Sequence, residues 1–588
     1  MEGGLTITDR TIYPDTWIHG TVELRALVEN PTPTSRRIVI ESKDASRNQT
    51  ARIATLLANG GTLLQVNMPV PHEPYASEDG DFLVRVDNFR PNEFSMKSFY
   101  ARNRYYGTGD SLPFNVIVSK EISAEKLKAH LKDAASTSKP SLSGLGAIAT
   151  NGRHGEVEGY FCADRVESFS PFRFEGDGAL WPQHWRTYST FDGFMIAAAD
   201  YELMPAEVRV ALRDFAAGGG DVTLLGMETL PEEWRFPSET QKAVQSRPFG
   251  VSEALYGFGS VRAVSVESID GIDSNNWVKL VGAWTASAHP WLADHHNDRK
   301  NQEVIPVPVE LTTSVSAFIL ILVFFVILVG PFSLILVRRK NRRMWILGLV
   351  PAISLLFAVI IFAYALYSEG VTPLVRQQAF TLLHQQERRA ATLGAIGVYS
   401  PLNLTGGLHF DLGTDVAALG RSVSTSIKYG RDLHIASGWV EPRVPSFIRV
   451  RRCEERTERL VVVEREDGAL EVVNGLGAKI TRLRIGDASR VFETSDLKAG
   501  EKRVLSTSVG ECRAGLLERV QKHVLDRPDA GWNIVEILEG KADPAKADVL
   551  QPGPRSYVAV LEGAPFIENP LAYRSNESTA ESIVVGWY

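Results

Sequence analysis

Along residues 313–367 the chain carries two uninterrupted apolar runs with no polar face. The runs Ala317 to Val337 and Met344 to Tyr367 contain no charged residue. A spanning helix needs about 20 apolar residues, because each residue rises 1.5 Å through a hydrocarbon layer about 30 Å thick. The pattern therefore predicts a transmembrane helical hairpin over 313–367. Gly330-Pro331 and Pro351 lie inside the runs, where lipid-embedded helices tolerate them as kinks. Trp345, Tyr364 and Tyr367 lie near the predicted interfaces, where amphipathic rings prefer to sit. The alternative, a pair of buried core helices in a large soluble protein, requires uncharged runs longer than soluble helices normally sustain.

Elsewhere the periodicity is of two kinds. Residues 1–110 read as short alternating strands broken by Pro, Gly, Asn and Asp: GTVELRALVEN, RRIVIES, ARIATLLA, GTLLQVNMPV and DFLVRVDN. That pattern predicts a β-sandwich of immunoglobulin-like type. From Phe114 the period changes. FNVIVS is a continuous apolar run such as a buried parallel strand shows, and Ser123 opens the helical stretch AEKLKAHLKDAA. FDGFMIAAAD, a helix starting near Pro205 and ending at Gly218 to Gly220, and the strand DVTLLG continue the alternation. Residues 111–270 are thus expected to form an α/β domain with an open parallel sheet. Residues 271–312 make a juxtamembrane segment. Residues 368–588 return to β character in RLVVVERE, ALEVVN, KITRLRIG and RVFETS, followed by one helix, AGLLERVQKHVL, and the strands YVAVLEG and ESIVVGWY.

Charge sets the orientation. The loop between the apolar runs holds Arg338, Arg339, Lys340, Arg342 and Arg343, and short cationic loops stay in the cytoplasm. Both large flanking regions are then expected outside it, as extracytoplasmic domains. The first residues, MEGGLTITDR, show neither the basic nor the apolar region of a signal peptide. An upstream leader absent from this sequence is the expectation, with reversed topology as the alternative. Over 588 residues the net charge is −7 and the mean hydropathy −0.08, so the flanks are ordinary polar material with no basic patch for nucleic acid. The expected partners are the lipid bilayer and other envelope proteins.

The chemistry-bearing residues are sparse. Three cysteines exclude a disulfide-dense scaffold, although Cys453 and Cys512 fall in one region and either pair or stand as separate buried thiols. Gly144 to Ala149 matches a dinucleotide fingerprint but follows a polar linker instead of a strand. His289 and Asp294 to Asp298 read as a solvated loop. No cofactor and no metal is expected. In an open parallel sheet ligands meet the carboxyl ends of the strands, which selects the loops after FDGFMIAAAD and DVTLLG and hence Asp200, Tyr201, Met227 and Glu228 as a docking edge.

The run FDGFMIAAADYELMPAEVRVALRDFAAGGGDVTLLG resembles the class I glutamine amidotransferase-like domain of uncharacterised two-span bacterial envelope proteins. The hairpin sequence VGPFSLILVRRKNRR and the later NGLGAKITRLRIGDASRVFETSDLKAGEKRVL are similar to the same group. The resemblance implies a flavodoxin-like α/β unit between a sandwich and a membrane hairpin. Amidotransferase chemistry needs a thiolate on a glycine-flanked strand-to-helix turn and a histidine held by a carboxylate. Cys162 sits in GYFCADR without those glycines, and the only His-x-Glu pattern nearby, His154 to Glu156, precedes it. Cys162 is expected to be an ordinary thiol in a domain without the catalytic elbow. The expected function is a non-enzymatic membrane-anchored binding or scaffold protein. An accessory subunit of a transport complex and an extracytoplasmic amidase or other hydrolase are the alternatives.

Overall fold

The computed structural model describes residues 5–9, 21–44, 49–71, 80–87, 92–99, 114–123, 125–127, 129–130, 169–173, 181–189, 191, 193–234, 251–273, 276–277, 280, 315–340, 344, 346–369, 372–419, 426–429, 432–525, 550–571 and 577–588. The Cys162, His154 to Glu156, Gly144 to Ala149, His289 and Asp294 to Asp298 readings lie outside them, as do Arg342 and Arg343.

Six strands of the middle region form one sheet. Its order is Phe169–Arg173, Phe114–Val118, Gly193–Ala197, Asp221–Leu225, Gly259–Val264 and Val251–Tyr256. The first five run parallel, and the last is an antiparallel edge. Gly193–Ala197 and Asp221–Leu225 are buried along their whole length, as strands covered on both faces must be. The helix Ala206–Ala217 starts after Pro205, whose fixed φ suits a helix entrance, and turns Val208, Ala211, Leu212 and Phe215 inward. One boundary differs from the expectation. The strand predicted to reach Asp200 stops at Ala197, and Ala198–Leu203 is a short helix. Alanine favours helix over strand, and AAAD is apolar enough to disguise the change.

The C-terminal region is built on a nine-stranded sheet whose centre pairs Leu374–His384 with Arg389–Tyr399 on one side and, in parallel, with Glu577–Trp587 on the other. The sequence reading assigns no strands between residues 368 and 455, yet Leu374–His384 and Arg389–Tyr399, at 11 residues each, match the longest in the region. LVRQQAFTLLH hides its nature because Gln377, Gln378 and Thr381 are buried, so no polar face alternates with an apolar one. Thr381 and Thr392 meet as hydroxyl partners across the strand pair at 3.0 Å.

The sheets do not respect the predicted domain boundaries. Four N-terminal strands, Gln49–Ala58, Arg36–Asp44, Gly80–Val86 and Asn92–Phe99, share a seven-stranded sheet with Ser426–Tyr429, Leu433–Ser437 and Leu408–Phe410 from beyond the hairpin. A second, three-stranded sheet joins Thr6–Asp9, Thr21–Asn30 and Thr62–Pro71. One hydrophobic core likewise joins Phe194, Phe215 and Phe258 of the α/β unit to Phe380, Leu393, Val558 and Trp587 of the C-terminal sheet. One sheet thus runs across the expected boundary between 1–110 and 368–588, and one core across that between 111–270 and 368–588. Strand periodicity carries no information about which distant strand will be the partner.

The hairpin is the exception to this burial. Two stretches, Ile319–Leu336 and Ile346–Tyr364, are long and apolar enough to cross a membrane, with mean hydropathies of 3.1 and 2.8 and only 6% of each buried. Phe325 meets Phe357 edge to face at 5.3 Å between the helices. At Gly330-Pro331 the first helix takes a π-turn over Leu328–Phe332, and Ser333 Oγ donates back to the Val329 and Gly330 carbonyls. A proline has no N–H and clashes with the preceding turn, and the wider turn relieves both problems. Pro351 sits in the second turn of Ile346–Glu369 without breaking it. Arg338, Arg339 and Lys340 end the helix Ser333–Lys340.

Candidate functional site

The strand order reverses between Phe114–Val118 and Gly193–Ala197, so their loops diverge to opposite sides and leave a crevice at the carboxyl edge. Ser119 closes the end of this pair: its N–H donates to Met195 O at 3.1 Å and its Oγ accepts from Ala197 N at 2.9 Å. Asp200, half-buried in the helix Ala198–Leu203, accepts from Glu121 N at 3.0 Å through Oδ2. The carboxylate thus stitches the loop after the first strand to the helix after the third.

The remaining predicted residues divide. Glu228 is exposed and Met227 is half-buried against the core, both beyond the turn at Gly226, whose φ of +86° favours glycine. Tyr201 faces the other way. It is 2% exposed, its hydroxyl donates to Glu233 Oε1, and Trp234 Nε1 donates to it at 2.7 Å. Burial raises its hydroxyl far above the ordinary phenol range, and the Glu233 carboxylate raises it further. Tyr201 anchors the loop before Trp234 and offers a partner no surface. Sequence spacing placed it beside Asp200 but did not give the helical rotation that separates them.

Asp270, in the loop after Gly259–Val264, supplies a further acid to the same edge. It takes hydrogen bonds from Lys126 Nζ at 2.7 Å and meets His130 Nε2 at 2.9 Å, and these partners hold its carboxyl down at about 2. Asp200 and Asp270 are both engaged in holding loops. Among the described residues the edge has no cysteine nucleophile, and no three His, Cys, Asp or Glu side chains come together so as to hold a metal ion.

Sequence reasoning did not find a second charged region. Where the α/β unit meets the C-terminal sheet, an open depression of about 700 Å³ is lined by Arg213, Glu232, Glu233, Glu387, Arg389 and Glu455. Arg389 Nη1 lies 2.8 Å from both carboxylate oxygens of Asp214, and Arg213 pairs with Glu387 at 3.5 Å. Burial pushes Asp214 up to about 6 although Arg389 and Arg213 pull it down. The partners are about 175 residues apart in sequence, and no local motif announces them.

No family model matches the chain, and no curated protein matches it. Among solved structures, the yeast delta-COP-I mu-homology domain is similar over 37% of this chain and 95% of its own length, at 6% identity and a TM-score of 0.19. The same yeast domain complexed with a Dsl1 WxWxV peptide is similar over 37% and 96%, at 6% identity and a TM-score of 0.18. Likeness this slight bears on neither fold nor function.

Cys453 and Cys512 are not joined in a disulfide. Cys453 is buried beneath Gly218, and burial pushes its thiol far above the usual range. Cys512 donates to Arg490 O at 3.1 Å.

Proposed function

We propose that this chain is a non-enzymatic, membrane-anchored binding or scaffold protein of a bacterial envelope, with both large regions outside the cytoplasm and the 338–343 loop inside. One observation carries the reading: two exposed apolar helices are inserted between halves of the chain that share a core and a sheet. Halves interlocked in this way lie on the same side of any bilayer that the hairpin enters, and the cationic loop selects the other side as cytoplasmic. The strand order, second, first, third and fourth along the parallel sheet, supports the flavodoxin-like reading of the α/β unit. The crevice edge around Asp200 and Glu228, where Asp200 and Asp270 hold loops and no cysteine lies among the described residues, suits docking better than catalysis.

The test is directional labelling of single cysteines introduced into a cysteine-free background of the full chain. A cysteine in the 338–343 loop should react only from the cytoplasmic side, and one at Gly370 only from outside. Labelling in the opposite sense would reverse the placement. Reaction of the two sites from one side would remove the hairpin altogether.

A further inference from the structure

The depression of about 700 Å³ at the junction of the α/β unit with the C-terminal sheet takes its walls from separate stretches of chain. The helix Ala206–Ala217 supplies Arg213, and the segment before Trp234 supplies Pro231, Glu232 and Glu233. From the other side come Arg389 with Glu387 in the turn before it, and Glu455 at the end of the strand Ser446–Glu455, where it is the cross-strand neighbour of Arg389. Pro231 alone among these is apolar.

Most of the charges in the walls are already engaged. Arg389 holds Asp214, and Arg213 pairs with Glu387, which also lies 3.5 Å from Tyr256 Oη and 3.7 Å from His384 Nε2. Glu233 accepts from Tyr201 and pairs with Arg209 at 3.4 Å. Glu232 and Glu455 remain. Both are exposed, and among the described residues neither side chain makes a hydrogen bond or an ion pair. Both guanidiniums in the walls have carboxylate partners, and the exposed Arg388 is not part of the walls. The site is also drier than an open surface, since burial raises the Glu387 carboxyl above the ordinary glutamate range although Arg213 and Arg389 pull it down. Charge pairs formed beside it are screened less than pairs in bulk water.

We propose that this depression receives two arginine side chains from one segment of a protein partner. A guanidinium donates paired N–H groups to a carboxylate, so Glu232 and Glu455 can each hold one. Small organic ligands gain from enclosure in mostly apolar pockets that cover roughly 70–90% of their surface, and an open depression with one proline in its walls gives them little of that. A protein segment brings its own cover, because the surface around its basic residues closes the rim and excludes water from the pairs. The proposal rests on the reading of the chain as a binding protein, but neither on the bilayer nor on the crevice edge at Asp200 and Glu228.

The experiment uses the full chain in detergent micelles at physiological salt, where exposed charges more than about 8 Å apart are screened from each other. The probe is a fluorescently labelled pentapeptide with two arginines separated by glycine, read by anisotropy beside the same peptide carrying neutral citrulline in their place. Wild type should bind the arginine peptide and bind the citrulline peptide at least about tenfold more weakly. Glu232→Gln combined with Glu455→Gln should weaken the arginine peptide about tenfold without moving the melting temperature, since both side chains are exposed. Glu466→Gln removes the same charge from the exposed turn after the strand Arg459–Glu464 and should leave binding unchanged. An unaffected double variant, or an equal loss in Glu466→Gln, would overturn the proposal, because the peptide would then sit elsewhere or answer only to overall charge. Spermidine displacing the peptide at equal concentration would overturn it too, since a small polyamine would then be the occupant. None of these results bears on the directional labelling of the hairpin, so the two readings fail separately.

Discussion

Replacing Arg389 with methionine tests whether the α/β unit and the C-terminal sheet are joined electrostatically as well as by apolar packing. Asp214 belongs to the helix Ala206–Ala217 and Arg389 opens the strand Arg389–Tyr399, so their contact crosses the junction. Removing one partner of a buried pair costs about 3–5 kcal/mol, because the other charge is left behind in a poor solvent. Arg389 is 22% exposed at its side chain and Arg213 stays near Asp214, which places the expected loss at the low end, about 3 kcal/mol. Most of that loss should depend on pH. The Asp214 carboxyl moves from 3.8 to about 6, mainly through burial. A carboxyl raised on folding supports the native state fully below its unfolded value, and that support fades as pH rises through the folded one. Without Arg389 the carboxyl should rise further, and the protonated acid needs no cation. Melting temperatures followed by tryptophan fluorescence should therefore fall much more for Arg389→Met at pH 8 than at pH 5. Asp214→Asn combined with Arg389→Met should restore at least half of the pH 8 loss. Equal losses at the two pH values, or strictly additive single changes, would refute the reasoning.

Three further outcomes follow from particular contacts. Gly259→Ala should lower stability by at least about 2 kcal/mol, seen as a fall in melting temperature, since a Cβ there would lie 2.0 Å from Gly220 O and 2.4 Å from Ala216 O and neither backbone can yield. Cys453 should resist iodoacetamide in the folded protein and react after denaturation, and peptide mapping without reductant should find no link to Cys512; a native adduct on Cys453 would contradict its burial. Charge removal at Glu228, an exposed carboxylate, should weaken partner capture with no shift in melting, whereas Asp200→Ala should also loosen the Glu121 loop and raise its hydrogen exchange. Capture unchanged in both variants would move the docking site away from this edge.

What the sequence disclosed depended on how local the cause was. The hairpin was legible because absence of charge over a span length is a property of contiguous residues, and Ile319–Leu336 and Ile346–Tyr364 fall within the predicted runs. The helix after Pro205 and the strand DVTLLG were legible for the same reason. Leu374–His384 was not, because a strand at the centre of a wide sheet buries Gln378 and Thr381 along with Leu382 and Leu383 and loses its two-residue period. The site was harder still. Asp200 lies at the carboxyl edge that the rule for parallel sheets selects, yet Tyr201 next to it turns into the core. Asp214 with Arg389 is defined only when a helix and a strand 175 residues apart in sequence come together.

The short tether between hairpin and body carries the last prediction. The second membrane helix ends at Glu369 and the central strand begins at Leu374, five Cα steps later, so the chain between them spans at most about 18 Å. With the hairpin in a bilayer, as proposed, the start of the strand Leu374–His384 is held near its surface. From Leu374 to His384 its ten steps reach about 33 Å at 3.3 Å each, so a strand that stands off the bilayer carries the turn at Gln386 well away from the lipid. Glu387 and Arg389 follow that turn, so in that orientation the charged depression lies away from the lipid and a partner seated there need not be a membrane protein. A small fluorophore attached at Pro373 should be quenched by lipids carrying a headgroup-level spin label, and one at exposed Gln386 should not. Equal quenching at the two positions would mean that the strand lies along the membrane, and the depression would then have to be sought as a site for a neighbour within the bilayer.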